Sequence, residues 1–434
     1  MRLSTGGTEI SLAGKVAALM GSALLLTASG TIVGQAAQGD ASGAAPASAQ
    51  AASADVPPAP RLTITPRDGA DKVRPDLGVV VKVANGTLGD VTVRLKGSKG
   101  DSLPGGLSSD HRSWRTRWTL EPDRSYSVRA SAVSPEGRTT TRSSTFTTQP
   151  ASESIAISDV TPDADETVGV GMPITVTFDR EVRNKDRVER ALEVRSTKAV
   201  QGAWRWVSDQ QVIFRTRKYW QPRQQVTLIA HLAGVRAAKD VYGLSDYTQR
   251  FRIGDANLSV VNVETHRMVV NRNGRRVRDV GISAGKGGSW MFTTTNGVHA
   301  VMGKASPVVM TSEWMGVTDP EDPRYYKLTV FEAVQISSSG EYVHSAPWSV
   351  WAQGNTNVSH GCVNVSPSFA EWFYGISQRG DIVTVTGTDR ELEWNNGYGY
   401  WQMPWKQWVK GSALSSPVIS TNTQTTPAAQ QRGR

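Results

Sequence analysis

The sequence predicts a mainly β protein in which two successive β-sandwiches precede a third β-rich domain with one short helix and a tryptophan-rich C-terminal subdomain. Three observations lead to this fold class. Stretches of alternating apolar and polar residues recur along the chain, and one of these patterns returns about 100 residues later. Helical periodicity is confined to two short stretches near the C-terminus. A length of 434 residues allows about three domains.

The first module, residues 61–149, carries the alternation of half-buried strands. In its stretch 114–120, four residues share one face while arginines occupy the other: Trp114, Thr116, Trp118 and Leu120. Glu121-Pro122 and Tyr126 follow, an arrangement that resembles the tyrosine corner of immunoglobulin-type sandwiches. We therefore expect an immunoglobulin-like sandwich here.

The second module, residues 152–253, repeats this organisation. Its segment Trp220-Gln221-Pro222 corresponds to Leu120-Glu121-Pro122, and its opening at Pro162 corresponds to that at Pro66. A second immunoglobulin-like sandwich is expected. Neither module carries a catalytic constellation, so we expect them to space the third domain and to contact the wall of a cell.

The N-terminus indicates export. Arg2 and Lys15 precede an uncharged stretch from Val16 to Gly39, which is typical of a signal peptide or a membrane anchor over residues 1–37. Residues 38–60 form an Ala/Ser/Pro linker that cannot bury a core. We expect the protein in the cell envelope or periplasmic space, either anchored to the inner membrane or secreted to the wall.

The formal net charge of +9 and the pI of about 9.6 favour an anionic partner. The sequence has no zinc-finger spacing, no long basic helix and no RNA-binding aromatic motif, so nucleic acid is not the expected partner.

The third domain, residues 257–388, begins with strands around the pair Asn273-Gly274, which predicts a tight hairpin. Residues 307–326 combine turn formers and lone aromatics, which favours a flap over a substrate site. The stretch 328–336 alternates as one strand. Ser366-Pro367 predicts a helix start, and an apolar face follows at helical spacing: Phe369, Trp372, Phe373 and Ile376.

The C-terminal subdomain, residues 389–411, is rich in aromatic side chains. Trp401, Trp405 and Trp408 are spaced as one face of a short helix, which we expect to pack on the third domain. The Ser/Thr/Gln/Pro tail from 412 to 434 is expected to be disordered.

The chemistry of the chain is concentrated around its single cysteine, Cys362. One cysteine cannot form an intramolecular disulfide, nor can it build a thiolate-rich zinc site. No metal or cofactor is implied by the sequence. His344 lies upstream and His360 lies two residues before the cysteine. A thiol attacks carbonyl carbons when an imidazole accepts its proton, so the stretch predicts covalent acyl transfer.

His344 followed by Ser359-His360-Gly361-Cys362-Val363-Asn364 resembles the signature of L,D-transpeptidases with a YkuD-type catalytic domain. The two modules before it resemble those of the mycobacterial and actinobacterial members with immunoglobulin-like domains. The resemblance implies a peptidoglycan L,D-transpeptidase that links diaminopimelate residues of a tetrapeptide donor and an acceptor stem through a cysteine thioester, releasing D-Ala. It also implies acylation by β-lactams of the carbapenem type.

The resemblance assigns roles to ten residues. Cys362 would be the nucleophile, His344 the base, and the Ser345 carbonyl would orient the base. The amides of Gly361 and Cys362 would hold the oxyanion, with the Tyr326 hydroxyl as a further donor. The remaining residues would line the substrate site: Met310, Trp348, Ser359, His360 and Asn364.

Alternatives remain open at this stage. An L,D-carboxypeptidase would use the same thioester with water in place of the acceptor amine. A wall-binding scaffold whose catalytic domain had decayed would lack Cys362 or His344, and both are present. A papain-like peptidase fits less well, because its cysteine usually precedes its histidine.

Overall fold

Strands dominate the chain, and the predicted mainly β class is confirmed. The computed structural model describes residues 58–422. The predicted signal peptide or anchor and most of the predicted linker lie outside that range. None of the helices formed by residues 58–422 is long and apolar enough to span a membrane.

The first module is a sandwich of two four-stranded sheets. Its strands are β1 (Arg61–Thr65), β2 (Ala70–Val73), β3 (Val80–Ala84), β4 (Thr87–Leu95), β5 (Gly105–Leu107), β6 (Ser113–Thr116), β7 (Ser125–Val133) and β8 (Thr139–Thr148). One sheet has the order β1-β3-β6-β5 and the other β2-β8-β7-β4. A 3₁₀ turn, Pro75–Leu77, lies between β2 and β3. Alternate residues of β1 and β7 are buried, so each sheet presents one apolar face to the other.

The predicted tyrosine corner is confirmed. The backbone N–H of Glu121 donates to the Tyr126 hydroxyl at 2.9 Å, and the Tyr126 ring is buried. The predicted strand over 114–120 ends earlier, at Thr116. Trp118 is only partly buried and stacks on His231 of the second module, with ring centroids 3.7 Å apart. The strand therefore ends at Thr116, because the residues that follow it pack against the second module.

Replacing Tyr126 by phenylalanine is expected to destabilise the first module by about 1 kcal/mol. The ring packing would survive, whereas the Glu121 amide would lose its acceptor. Chemical denaturation of the purified protein measures the change. A free energy of unfolding equal to that of the wild type would contradict a stabilising corner.

The second module is also a sandwich, with a small third sheet. Its elements are β9 (Glu153–Ile155), β10 (Ile157–Thr161), β11 (Thr167–Val168), β12 (Ile174–Phe178), α1 (Lys185–Arg190), β13 (Leu192–Ser196), β14 (Gln201–Trp206), β15 (Gln211–Thr216), β16 (Gln224–Ala230), β17 (Arg236–Ala238), β18 (Val241–Gly243) and β19 (Tyr247–Ile253). Strands β10-β12-β15-β14 form one sheet, β11-β19-β16-β13 the other, and β17-β18-β9 the small one. Trp204 and Trp220 are buried in the core of the module.

The expected disorder of the tail is wrong for residues 412–422. Strand β31 (Val418–Ile419) pairs with β14, and β32 (Thr421–Asn422) pairs with β13. The Ser420 hydroxyl lies 2.6 Å from that of Ser196. A polar tail is ordered here because open strand edges of the second sandwich offer it backbone hydrogen-bond partners. Residues 423–434 lie outside the described range.

The tryptophans of the predicted short helix, Trp401, Trp405 and Trp408, pack on the second sandwich, which corrects the expected packing of that helix on the third domain. Trp401 lies in a 3₁₀ turn, Gly399–Gln402, and the helix α3 is only Trp405–Val409. The Trp408 indole is fully buried and donates to the Ala203 carbonyl at 2.9 Å. Arg215 of β15 lies 4.8 Å from the Trp408 ring, a cation–π contact that attaches the subdomain there. Other residues of the subdomain contact the third domain: Gln402 accepts from the Val298 amide, and Asn396 Oδ1 accepts from the Ser338 hydroxyl at 2.8 Å.

The third domain combines a five-stranded sheet, a four-stranded sheet and a two-stranded ribbon. Its strands are β20 (Asn257–Asn262), β21 (Arg267–Arg272), β22 (Arg275–Gly281), β23 (Gly297–Ala300), β24 (Gly303–Ala305), β25 (Val308–Thr311), β26 (Lys327–Val330), β27 (Ala333–Gln335), β28 (Tyr342–Ser345), β29 (Val363–Val365) and β30 (Ile382–Thr386). The sheets have the orders β22-β21-β20-β30-β23 and β24-β27-β28-β29, and β25 pairs with β26. Short 3₁₀ turns occur at Trp290–Phe292, Ser312–Met315 and Pro347–Ser349. The helix α2, Pro367–Ile376, buries Phe369 and Phe373 in the core of the domain.

Local signals placed several of these elements correctly. The Asn273-Gly274 turn joins β21 to β22 with positive φ at both residues, as a two-residue hairpin turn requires. Helix α2 begins at Pro367 as expected. The predicted strand over 328–336 is wrong as a single element, because Glu332, with φ of 48°, separates β26 from β27. The predicted flap, residues 307–326, contains β25 and the segment that joins it to β26, and β26 itself begins directly after the flap at Lys327.

Candidate active site

The candidate site lies on one face of two adjacent parallel strands, β28 and β29. In their register, Val343 pairs with Val363 and His344 pairs with Asn364. Cys362 directly precedes Val363 in the chain. Side chains alternate across a strand, so Cys362, His344 and Asn364 project to one face. Val343 and Val363 project to the other face, where they enter the core. Sheet pairing thus brings together a histidine and a cysteine that are eighteen positions apart in the chain.

A cavity of about 420 Å³ lies over this face. The strands β28 and β29 form its floor, the ribbon of β25 and β26 forms one wall through Met310 and Leu328, and Tyr326, directly before β26, lies at the same side. All of the predicted site residues except Ser345 line the cavity: Cys362, His344, Gly361, Tyr326, Met310, Trp348, Ser359, His360 and Asn364. Ser345 is absent from the wall because it follows His344 in the strand and belongs to the opposite face.

The Ser345 carbonyl nevertheless contacts the candidate base. It accepts a hydrogen bond from His344 Nδ1 at 2.9 Å. Because a carbonyl can only accept, Nδ1 carries the hydrogen, and Nε2 of the neutral ring is left with a lone pair. Burial lowers the pKa of His344 despite that hydrogen bond, which opposes the shift. The imidazole is therefore neutral at neutral pH and able to accept a proton.

The Cys362 thiol is half-buried, and its contacts are weakly polar. Its sulfur lies 3.7 Å from the Gly340 carbonyl and 4.0 Å from the Met310 sulfur. Burial raises the pKa of Cys362 to about 12, the Tyr342 amide opposes this, and the nearby Glu341 carboxylate adds to it. The resting site thus holds a neutral thiol and a neutral imidazole in the same cavity.

These pKa shifts predict how alkylation of the free enzyme depends on pH. Iodoacetamide reacts with the thiolate, so its rate constant at Cys362 should rise about tenfold per pH unit from pH 7 to 10 without a plateau. Intact-mass spectrometry follows the reaction, and Cys362→Ala, which removes the chain's only cysteine, gives the background. A plateau below pH 8 would contradict the neutral pair and indicate a preformed thiolate.

The loop before the cysteine is braced by Ser359. Its hydroxyl donates to the Cys362 carbonyl at 2.6 Å and accepts from the Gly361 amide at 3.1 Å. Gly361 has φ of 130°, a conformation that favours glycine. Its amide, which the resemblance assigned to the oxyanion, is thus hydrogen-bonded within the loop in this structure, and its role in holding the oxyanion stays a prediction.

Aromatic side chains surround the remaining predicted residues. His360 stacks on Tyr326 with centroids 4.7 Å apart and meets the edge of Phe292 at 5.1 Å. Trp348, which is 48% exposed, lies 6.0 Å from the His344 ring. His360 therefore links the cysteine loop to the residue that precedes β26, and the exposed Trp348 lies next to the buried His344 ring.

Sequence reasoning missed a buried polar cluster beneath the loop. Glu341, which is 4% exposed, accepts from the Thr295 amide at 2.7 Å and its hydroxyl at 2.5 Å. Burial would raise the pKa of Glu341, but hydrogen bonds from His299 and Thr295 lower it. The Thr294 hydroxyl donates to the Gly361 carbonyl at 2.8 Å. The threonine run 293–295 was visible in the sequence, but only the fold brings it under Gly361.

Comparison with known proteins adds independent findings. Residues 70–236 match a bacterial Ig domain family, and residues 256–385 match the YkuD family, the L,D-transpeptidase catalytic domain. L,D-transpeptidase 2 of Mycobacterium tuberculosis is 36% identical over 355 residues, covering 82% of this chain and 85% of that protein.

Two solved structures cover about half of this chain. An L,D-transpeptidase in complex with imipenem is 34% identical, covers 53% of this chain and 99% of its own, and gives a TM-score of 0.46. L,D-transpeptidase 3 of M. tuberculosis with a faropenem-derived adduct is 31% identical, covers 54% and 98%, and gives a TM-score of 0.44. Because L,D-transpeptidase 2 is 36% identical over 82% of this chain, the chain belongs to the L,D-transpeptidase family.

Proposed function

We propose that this protein is a peptidoglycan L,D-transpeptidase that joins two stem peptides through a thioester on Cys362. One observation carries the proposal: the Cys362 thiol and a neutral His344, held by the Ser345 carbonyl, line the same cavity. A nucleophile, a base and a group that orients the base are the parts that covalent acyl transfer requires.

In the first half-reaction, Cys362 Sγ attacks the carbonyl carbon of the third donor residue, a diaminopimelate. The thiol proton passes to His344 Nε2, which gives it to the nitrogen of the departing D-Ala as the C–N bond breaks. The high thiol pKa makes this coupled transfer necessary, because little thiolate exists beforehand. Amide donors at the loop, above all that of Cys362, stabilise the tetrahedral oxyanion.

In the second half-reaction, the side-chain amine of an acceptor diaminopimelate attacks the thioester carbon. His344 removes a proton from that amine and returns it to the sulfur as the C–S bond breaks. A peptide bond between two stems and the free thiol result. The cavity is bordered by the ribbon of β25 and β26, which we assign to covering the donor stem and limiting the access of water.

The same thiol is proposed to be acylated by carbapenems. Attack on the strained β-lactam carbonyl breaks the ring C–N bond and forms an acyl-enzyme. The leaving nitrogen stays attached to the acyl group, so it does not diffuse away. Family membership supports this reaction, since a relative is known in complex with imipenem. The signal peptide or membrane anchor that the sequence predicts over residues 1–37 supports a location in the cell envelope, where the polymer lies.

Incubation of the purified protein with a disaccharide tetrapeptide tests the reaction, with products identified by mass. Wild type should yield a cross-linked dimer and free D-Ala, and Cys362→Ala should yield neither. Identical products from both proteins would refute the proposal. Disaccharide tripeptide without dimer would instead establish an L,D-carboxypeptidase, in which water takes the acceptor's place.

A further inference from the structure

A second cavity, of about 620 Å³, lies between the two sandwiches and takes no part in the proposed reaction. We call it the inter-sandwich cleft. One wall is the 3₁₀ turn after β2 with residues 115–119, and the other is helix α1 with residues near His231. Its lining contains five arginines and two aspartates: Arg115, Arg117, Arg187, Arg190, Arg236, Asp76 and Asp186.

The base of this cleft is held by direct contacts between the sandwiches. Arg187 Nη1 lies 2.5 Å from Asp76 Oδ2, and the Thr119 hydroxyl donates to the Ala233 carbonyl at 2.5 Å. The Trp118 ring stacks on His231. These contacts fix the two walls relative to each other. The backbone positions of the arginines are therefore set before a ligand binds, which lowers the entropic cost of binding.

Carboxylates face three of the five arginines of the cleft, with Glu193 3.7 Å from Arg117, and the other two arginines are left without such a partner in the part of the chain that the structure describes. Asp76 is buried and is shared by Arg74 and Arg187, and burial, which would raise its pKa, is outweighed by these two guanidiniums. Asp186 faces Arg190 at 3.9 Å, the outer limit of an ion pair. Within residues 58–422, Arg115 and Arg236 have no carboxylate partner, and Arg236 Nε is buried without a hydrogen bond.

Guanidinium groups bind carboxylate and phosphate oxygens through paired N–H donors. The cleft also has apolar lining, since Leu77, which is 59% exposed, and the partly buried Trp118 both contribute to it. Sugar rings present apolar C–H faces that pack on such surfaces. Acid groups and sugar rings occur together in the anionic glycans of cell envelopes.

We propose that the inter-sandwich cleft binds an anionic glycan, with carboxylate or phosphate groups held by Arg115, Arg190 and Arg236. Binding there would tether the catalytic domain to the polymer network by contacts that its active site does not make. Among the described residues, the cleft shares no lining residue with the cavity at Cys362, so glycan binding there does not depend on the reaction at Cys362.

Isothermal titration of the purified protein at about 0.15 M salt tests the proposal, because nonspecific charge attraction is largely screened there. The probes are an oligogalacturonate, a poly(glycerol phosphate) and a neutral maltooligosaccharide of matched length. The first two distinguish carboxylate from phosphate as the recognised group. At least one anionic probe is expected to bind, and the neutral probe is not.

The test variant is Arg115→Gln combined with Arg190→Gln, both exposed side chains whose loss leaves the core intact. Dissociation constants should rise at least about tenfold, since each charged hydrogen bond lost is worth about that factor. Arg129→Gln, an exposed arginine of β7 outside the cleft, is the matched control and should bind as wild type does. Thermal melting verifies that all variants are folded.

The proposal is overturned if neither anionic probe binds or if the neutral probe binds equally well. It is also overturned if Arg129→Gln weakens binding as much as the double variant, because general surface charge would then account for the affinity.

Discussion

Cys362→Ala is expected to abolish cross-linking, a loss of about 10⁴-fold or more, because no other group can form the covalent intermediate. The same change should abolish adduct formation with imipenem. Wild type should gain the mass of one imipenem molecule, and the variant should keep its own mass. Intact-protein mass spectrometry gives this answer directly, since the chain contains one cysteine.

Cys362→Ser serves as the conservative companion, because it keeps the shape of the side chain and replaces sulfur with a weaker nucleophile. Both variants should melt at temperatures close to that of the wild type, since the thiol makes only weak contacts with Gly340 and Met310. An imipenem adduct on Cys362→Ala would place the nucleophile elsewhere and overturn the assignment.

His344→Gln is expected to lower the rate of cross-linking by about 10³-fold, within the range typical of general bases. The loss should be large here because burial keeps the thiol pKa near 12, so the uncatalysed thiolate fraction at neutral pH is very small. Single-turnover acylation by imipenem measures the same step without the acceptor. Raising the pH should restore part of the acylation rate of the variant, because hydroxide then removes the proton.

His111→Asn is the matched control for this variant. His111 is exposed in the first sandwich at a positive φ of 54°, a conformation that asparagine tolerates well. Its activity should equal that of the wild type. Retention of a tenth or more of the wild-type rate by His344→Gln, without any rescue at high pH, would show that another group accepts the proton.

Sequence reasoning was most accurate where the signal was local. The Asn273-Gly274 turn and the start of α2 at Pro367 depend on the φ preferences of a few neighbouring residues, which the sequence states outright. The tyrosine corner was equally local, since Glu121 and Tyr126 are five residues apart.

Sequence reasoning failed where one module meets another. The strand alternation through Trp118 ended early because that ring packs on the second sandwich. The composition of the tail predicted disorder, yet residues 418–422 form two short strands that pair with the edge strands β14 and β13 of the second sandwich. Trp408 packs on the second sandwich rather than on the third domain. Composition and periodicity report the properties of one segment. Whether that segment forms a strand or packs on a given module depends on residues that are distant in the sequence.

By itself, the sequence determined the mainly β class, the two repeated sandwiches and the pairing of one cysteine with an upstream histidine in a recognisable signature. The tertiary structure alone decided the protonation state of that pair, since the pKa of Cys362 depends on burial and on Glu341. It alone placed the Thr294 hydroxyl on the Gly361 carbonyl and brought arginines of two sandwiches into one cleft. Spacing along the chain identifies which groups are available, but desolvation and charge act through space, and only folding sets those distances.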